Sequence, residues 1–219
     1  MNWQLAYDSL GPLAYGTLTG TIPLTLWSFA LGMVLALVVA LAKLSSVRVV
    51  RAVGTLYVSI IRGTPLLVQL FIIFYALPYA GLMIDPFPSA VVALSLNVGG
   101  YAAESIRGAI LAVPQGQWEA ATTIGMDYPT TLRRIILPQA ARIAVPPLSN
   151  TFISLVKDTA LASLVMVMEL LAVAQRAATP TYDFLTLYVE AALLYWPVCT
   201  VLSVAQKRLE VRLARHVAV

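Results

Sequence analysis

An all-α membrane protein with five transmembrane helices is the fold class this sequence predicts, and three observations predict it. The chain of 219 residues is 60% hydrophobic and 11% charged, with a mean hydropathy of +0.85, far too apolar for a soluble domain. Its apolar residues come in runs long enough to cross a bilayer, which takes roughly 20 residues of helix. Its basic residues gather beside alternate runs, so the formal net charge of +4 reads as topology and not as nucleic-acid binding. The chain reads as one domain, residues 1–219. A single cysteine, Cys199, excludes an internal disulfide framework. The opening residues MNWQLAYDSL carry no basic n-region, so no cleaved signal peptide is expected.

In chain order, the uncharged run 10–42 holds a short interfacial lead-in and span one, about 15–42, followed at once by Lys43, Arg48 and Arg51. Span two is expected at about 53–77; the loop after it contains Asp85 and no Lys or Arg. Span three, about 89–113, leads into the one long polar insert, which carries Arg133, Arg134 and Arg142 before span four at about 144–168. A loop with Glu169, Arg176 and Asp183 precedes span five, about 184–205, and a basic tail, KRLEVRLARHVAV. Across these spans one side collects Lys43, Arg48, Arg51, Arg133, Arg134, Arg142, Lys207, Arg208, Arg212 and Arg215, and the other has only Arg176. Positive-inside topology then puts the amino terminus outside and both the insert and the carboxyl tail in the cytoplasm of a multi-pass plasma (bacterial inner) membrane protein.

The insert, about 114–138, reads as two short helices. Small residues Ala120, Ala121, Thr122 and Thr123 line the first, and Gly125 is its natural left-handed stop. Tyr128 is expected as the N-cap of the second and Pro129 as its first residue. Leu132, Ile135 and Ile136 share one face of that helix, Arg133 and Arg134 point elsewhere, and Pro138 is expected to end it. On pattern alone this is also what an ordinary amphipathic interfacial helix looks like.

Glu119, Ala120, Ala121, Gly125, Ile135, Leu137 and Pro138 stand in the order and spacing of the EAA loop, and the chain thereby resembles permease subunits of ATP-binding-cassette importers. RGTPLLVQLF (62–71), YAAESIRGAI (101–110), VPQGQWEAA (113–121), LPQAARIAVPPLSN (137–150) and LVKDTALASLV (155–165) are similar to the polar amino-acid branch, the histidine, glutamine, glutamate and arginine importers, and with the spans between them cover almost the whole chain. Where that branch has Thr-Ser-Leu this chain has Thr159, Ala160 and Leu161, a mild departure at position 160. The resemblance implies a type I importer permease architecture with cytoplasmic coupling helices. It implies that Glu119, Ala120, Ala121, Gly125, Arg133, Ile135, Leu137 and Pro138 couple to a separate ATPase subunit that holds ATP and magnesium. It further implies a second permease subunit, identical or paralogous, and an extracytoplasmic solute-binding protein that delivers an amino acid.

Ionisable groups inside a bilayer need a partner or a wet cavity. On span three Asn97, Tyr101, Glu104 and Gly108 share a helical face; on span four Asn150, Ser154, and Lys157 or Asp158 do the same. Two polar faces suggest one pathway for a zwitterion, with Glu104, Asp158 and Asn150 serving it and Lys157 as a carboxylate partner. The structural alternatives stay open: Glu104 paired with Arg107, Lys157 and Asp158 neutralising other helices, and Arg62 snorkelling to the interface. No P-loop GxxxxGK[ST] occurs, so the chain is not itself an ATPase and no cofactor is expected on it. The sole histidine, His216, lies in the tail, which argues against a hydrolase triad or a metal site. The alternative to an ATP-driven importer is a secondary transporter relaying protons through Glu104 and Asp158.

Overall fold

The computed structural model describes residues 3–214, and among them every regular element is a helix. Arg215 and His216 lie outside the described residues. Two stretches, Trp3–Leu44 and Phe184–Leu213, are long and apolar enough to cross a membrane. Arg48–Gly63 with Leu66–Ala80 makes a third if this pair, bent by 105°, is one span.

The first run contains α1 (Trp3–Gly16), a π turn (Thr17–Thr21) and α2 (Ile22–Leu44). No break separates a lead-in from the span, which corrects the expectation of a start near residue 15. The π turn is what carries the helix past Pro23. A proline lacks the N–H of the helical ladder and its ring collides with the carbonyl four residues back, so a locally widened turn removes the clash. The same device recurs twice: π turns at Ile72–Ala76 and Leu132–Ile136 end one residue short of Pro78 and Pro138, respectively. Pro138 therefore does not end its helix; the chain runs on into α8 (Leu137–Asp158).

Pro65 acts differently. No widened turn precedes it, Thr64 is extended at φ −122° and ψ 147°, and the expected second span is broken into α3 (Arg48–Gly63) and α4 (Leu66–Phe71). After α4 come the second π turn and a 3-10 turn, Leu77–Ala80.

Helix α5 (Pro86–Leu111) is the centre of the bundle, packed on α2, α3, α4 and α8. Close approach is set by glycines. A Cβ at Gly99 would lie 2.8 Å from the Leu35 side chain, and one at Gly100 would lie 2.6 Å from Cγ2 of Ile61. Tyr57 Oη donates to the Leu96 carbonyl at 2.6 Å, a second tie between α3 and α5. The main apolar cluster, including Leu24, Leu70, Leu94, Val98 and Leu155, fills the space between these helices.

Two short helices follow, α6 (Gln115–Thr123) and α7 (Tyr128–Thr131), the latter continuing through its π turn into α8. Span four is shorter than expected, because a 3-10 turn at Thr159–Val165 succeeds α8 and Met166 is left-handed at φ 63°. The supposed loop beyond it is a helix, α9 (Leu170–Thr181), and α10 (Phe184–Ala214) is nine residues longer than the expected fifth span at its carboxyl end. Glu169 caps α9. Its buried carboxylate accepts from the Ala172 N–H at 2.8 Å and from Tyr195 Oη at 2.6 Å, while Thr21 Oγ1 accepts from the Leu170 N–H at 3.2 Å. Glu190 accepts from Ser9 Oγ at 2.6 Å, so the first helix is fastened to both α9 and α10.

Candidate functional site

A cavity of about 430 Å³ opens where the α3–α4 break meets the middle of α5 and the end of α8. Thr64 and Pro65 form one wall, Asn97 and Tyr101 of α5 the second, and Ser154 and Asp158 of α8 the third. Elsewhere the cavities between α2, α8 and α10 hold no charged side chain in their lining.

Two side chains satisfy the backbone at the break, and the first is Thr64, whose Oγ1 donates to the Ile60 carbonyl at 2.8 Å. Ending α3 early strands its last carbonyls. Gln69 Nε2 takes up two stranded acceptors, the carbonyls of Ile61 at 2.8 Å and Thr64 at 3.2 Å, and reaches Thr64 Oγ1 at 3.0 Å. Its Oε1 accepts from Asn97 Nδ2 at 3.4 Å, which ties the break to the α5 wall of the cavity. The guanidinium of Arg62 lies over the Tyr101 ring, 5.3 Å from its centroid.

Four of the expected pathway residues, Asn97, Tyr101, Ser154 and Asp158, are brought together, and three are not. Glu104 shares the helical face of Asn97 and Tyr101 but stands nearly two turns, about 10 Å, beyond Asn97 along α5, past the cavity lining and beside the end of α2. There it pairs with Lys43 Nζ and, at 3.0 Å, with Nη2 of Arg107. Lys157, one residue before Asp158 and about 100° away around α8, is exposed and does not line the cavity. Asn150 is held by α10: its Oδ1 accepts from Gln206 Nε2 at 2.9 Å.

The polar insert presents a second surface. Gly125 is left-handed at φ +76°. The Asp127 carbonyl accepts from the Thr131 N–H at 3.0 Å, which makes Asp127 and not Tyr128 the N-cap of α7. Ile136 is buried with Val113 and Ala140, and Leu132 and Ile135 pack against them with Trp118. Ala121 is buried beneath the turn, whereas Glu119, Ala120, Arg133, Leu137 and Pro138 are exposed. Trp118 stacks on Tyr128 with centroids 5.2 Å apart, bracing α6 against α7.

Sequence reasoning missed Gln69, Thr64 and Lys43 as site-forming groups. The signal for Gln69 was available, since a proline that breaks a helix strands carbonyls that a nearby amide must satisfy. Lys43 was read only as a topological charge, because its partner is 61 residues away.

Residues 28–215 match the family model described as binding-protein-dependent transport system inner membrane component. The chain is 57% identical over 217 residues to the L-cystine transport system permease protein TcyB of Bacillus subtilis, covering 99% of this chain and 93% of that protein. It is 35% identical over 194 residues to the arginine transport system permease protein ArtQ of the same organism, covering 88% and 89%. Among solved structures, a crystal structure of an amino acid ABC transporter with histidines aligns at TM-score 0.90 and 35% identity over 95% of this chain and 97% of that one. An inward-facing MetNI methionine ABC transporter aligns at TM-score 0.74 over 92% and 98%; at 21% identity it speaks for the fold alone.

Proposed function

This chain belongs to the family of binding-protein-dependent transport system inner membrane components, and from that premise we propose how a permease subunit of an ATP-binding-cassette amino-acid importer works with these residues. The bundle crosses the inner membrane five times, with the amino terminus outside and the polar insert and carboxyl tail in the cytoplasm. Asn97, Tyr101, Ser154 and Asp158 line the substrate path, where Asp158 meets the ammonium group of the passing amino acid. L-cystine is the first cargo to try, because the relative at 57% identity carries that name.

The exposed surface built on Glu119, Ala120, Gly125 and Arg133, over the apolar floor of Ala121 and Ile135 and up to Leu137 and Pro138, seats in a separate ATPase subunit. That partner holds ATP and magnesium, and this chain holds no cofactor of its own. A second permease, identical or paralogous, and an extracytoplasmic solute-binding protein complete the importer. Closure of the ATPase pair shifts the path between inward- and outward-facing states by favouring one of two pre-existing conformations.

The observation that carries this reading is the convergence of four polar side chains from two helices on one cavity beside a broken third. Native mass spectrometry of the complex purified through this chain tests it. The expected result is two permease subunits, two ATPase subunits and a retained amino acid. A chain that purifies alone and accumulates solute in liposomes under an ion gradient would overturn it in favour of secondary transport.

A further inference from the structure

We propose that Arg62, which stands on the Tyr101 wall of the cleft that holds Asp158, is the group that reads the substrate's α-carboxylate; the assignment rests on the pathway reading above. A snorkelling arginine belongs at the end of a span, where its head reaches the interface. Arg62 is not at that level. Its neighbour Ile61 packs so tightly on Gly100 that a Cβ there would come within 2.6 Å of it, and Tyr57, one turn earlier, is bonded to the Leu96 carbonyl. Those contacts set Arg62 opposite the middle of α5, beside Tyr101.

A cation at that depth calls for a partner or a function. The two ion pairs among the described residues both belong to Glu104, so Arg62 has no carboxylate of its own. Its guanidinium lies on the face of Tyr101, 5.3 Å from the centroid, and Tyr101 is itself a wall of the cavity that holds Asp158. A cation on an exposed aromatic face is held weakly, whereas a guanidinium fork bonds a carboxylate through two parallel N–H donors. An arriving carboxylate therefore draws Arg62 off the ring.

The cleft then has one carboxylate on α8 and, beside its Tyr101 wall without lining it, the exposed cation at the end of α3. That is the charge pattern of an amino-acid head group, with the ammonium toward Asp158 and the carboxylate toward Arg62. The position of Arg62 just before the break also matters. Thr64 and Pro65 separate its helix from α4, so the residue that grips the carboxylate sits at the bend of the pathway wall.

The bland rival makes Arg62 a prop for the Tyr101 ring. To separate the two, binding of L-cystine, L-arginine and L-glutamine and of their α-amides is measured on the purified permease–ATPase complex in lipid nanodiscs. The solute-binding protein is left out, because it would select for the carboxylate itself. The wild-type complex is expected to bind at least one of these amino acids tenfold or more tightly than its amide. Arg62→Gln should bind acid and amide equally, at the amide's affinity and with Tm unchanged, and Arg62→Lys should keep part of the preference. Tyr101→Leu should keep the preference as well, which a prop could not do. Retention of the wild-type preference by Arg62→Gln, or a wild-type complex without any preference, overturns the assignment. Asp158→Asn reports on the underlying reading: it should weaken acid and amide alike. If it changes neither, or if the wild type binds none of the three, the pathway reading falls and the assignment with it.

Discussion

Glu104 and Asp158 are two carboxylates on adjacent helices of one apolar bundle, and their surroundings are opposite. Glu104 has Lys43 on one side and Arg107 on the other, from α2 and its own helix. Among the described residues Asp158 has no ion pair, and it faces a cavity walled by Thr64 and Pro65 at the break and by Asn97 and Tyr101 of α5. A buried charge that is already neutralised holds helices together. One that has no ion pair and opens on a cavity can exchange water for a charged ligand.

The largest effect that would break this contrast is expected at Asp158. Asp158→Asn keeps the shape and removes the charge, and losing a hydrogen bond to an ionised group is worth about 1.5–3 kcal/mol. Uptake per folded complex in proteoliposomes should fall by about tenfold to a hundredfold, since each 1.4 kcal/mol is a factor of ten. Thermal stability in detergent should not change. Glu104→Gln should show the reverse pattern. It leaves Lys43 and Arg107 facing each other without their shared anion, and breaking a buried pair costs about 3–5 kcal/mol, the lower end applying to this partly exposed one. A drop of several degrees in Tm, with uptake tracking the amount of intact protein, is the expected outcome; adding Lys43→Met should recover part of it. Equal transport defects in both variants at equal stability would erase the distinction.

The sequence could not have drawn this contrast, for a physical reason. Helical periodicity ties Glu104 to Asn97 and Tyr101 as one face, but it is silent on what packs there, and the cation that claims Glu104 comes from the end of α2. The same holds for Lys157 and Asp158, which neighbourhood in sequence cannot order and of which only Asp158 lines the cavity. Motifs fared better where local chemistry decides: Gly125 is left-handed as its place after a small-residue helix suggests, and Leu132, Ile135 and Ile136 share the face that packs on Val113. Prolines were legible as events and not as outcomes. Pro65 breaks its helix, while Pro23 and Pro138 are carried past by π turns that no residue type announces.

A smaller effect sharpens the comparison from the cavity side. Gln69→Leu fits the same space but strands the Ile61 and Thr64 carbonyls and releases Asn97, each unmade buried bond costing about 1–3 kcal/mol. Because the break forms the wall opposite Asp158, apparent KM should rise together with a modest fall in Tm. A lowered Tm with KM unchanged would detach the break from the pathway.

The mildest change tests the surface that neither carboxylate touches. Gly125 has φ +76°, and a Cβ built on it meets nothing within 4 Å, so a side chain there has room and only the backbone objects. A left-handed conformation costs an L-residue roughly 1–2 kcal/mol, most for β-branched side chains and least for asparagine, whose short amide bonds locally. Gly125→Asn and Gly125→Val thus add side chains of similar size to the same open space and differ in whether the turn survives. If the turn between α6 and α7 aims Glu119 and Ala120 at the ATPase, Gly125→Val should lose substrate-stimulated ATP hydrolysis while Gly125→Asn keeps it. Neither should alter amino-acid binding in the cleft, because no residue of the insert lines it. Loss of stimulation by both variants alike would assign the defect to bulk at a docking surface and not to the turn, and loss of binding by Gly125→Val would mean that the cleft and the insert are one mechanical unit even at rest.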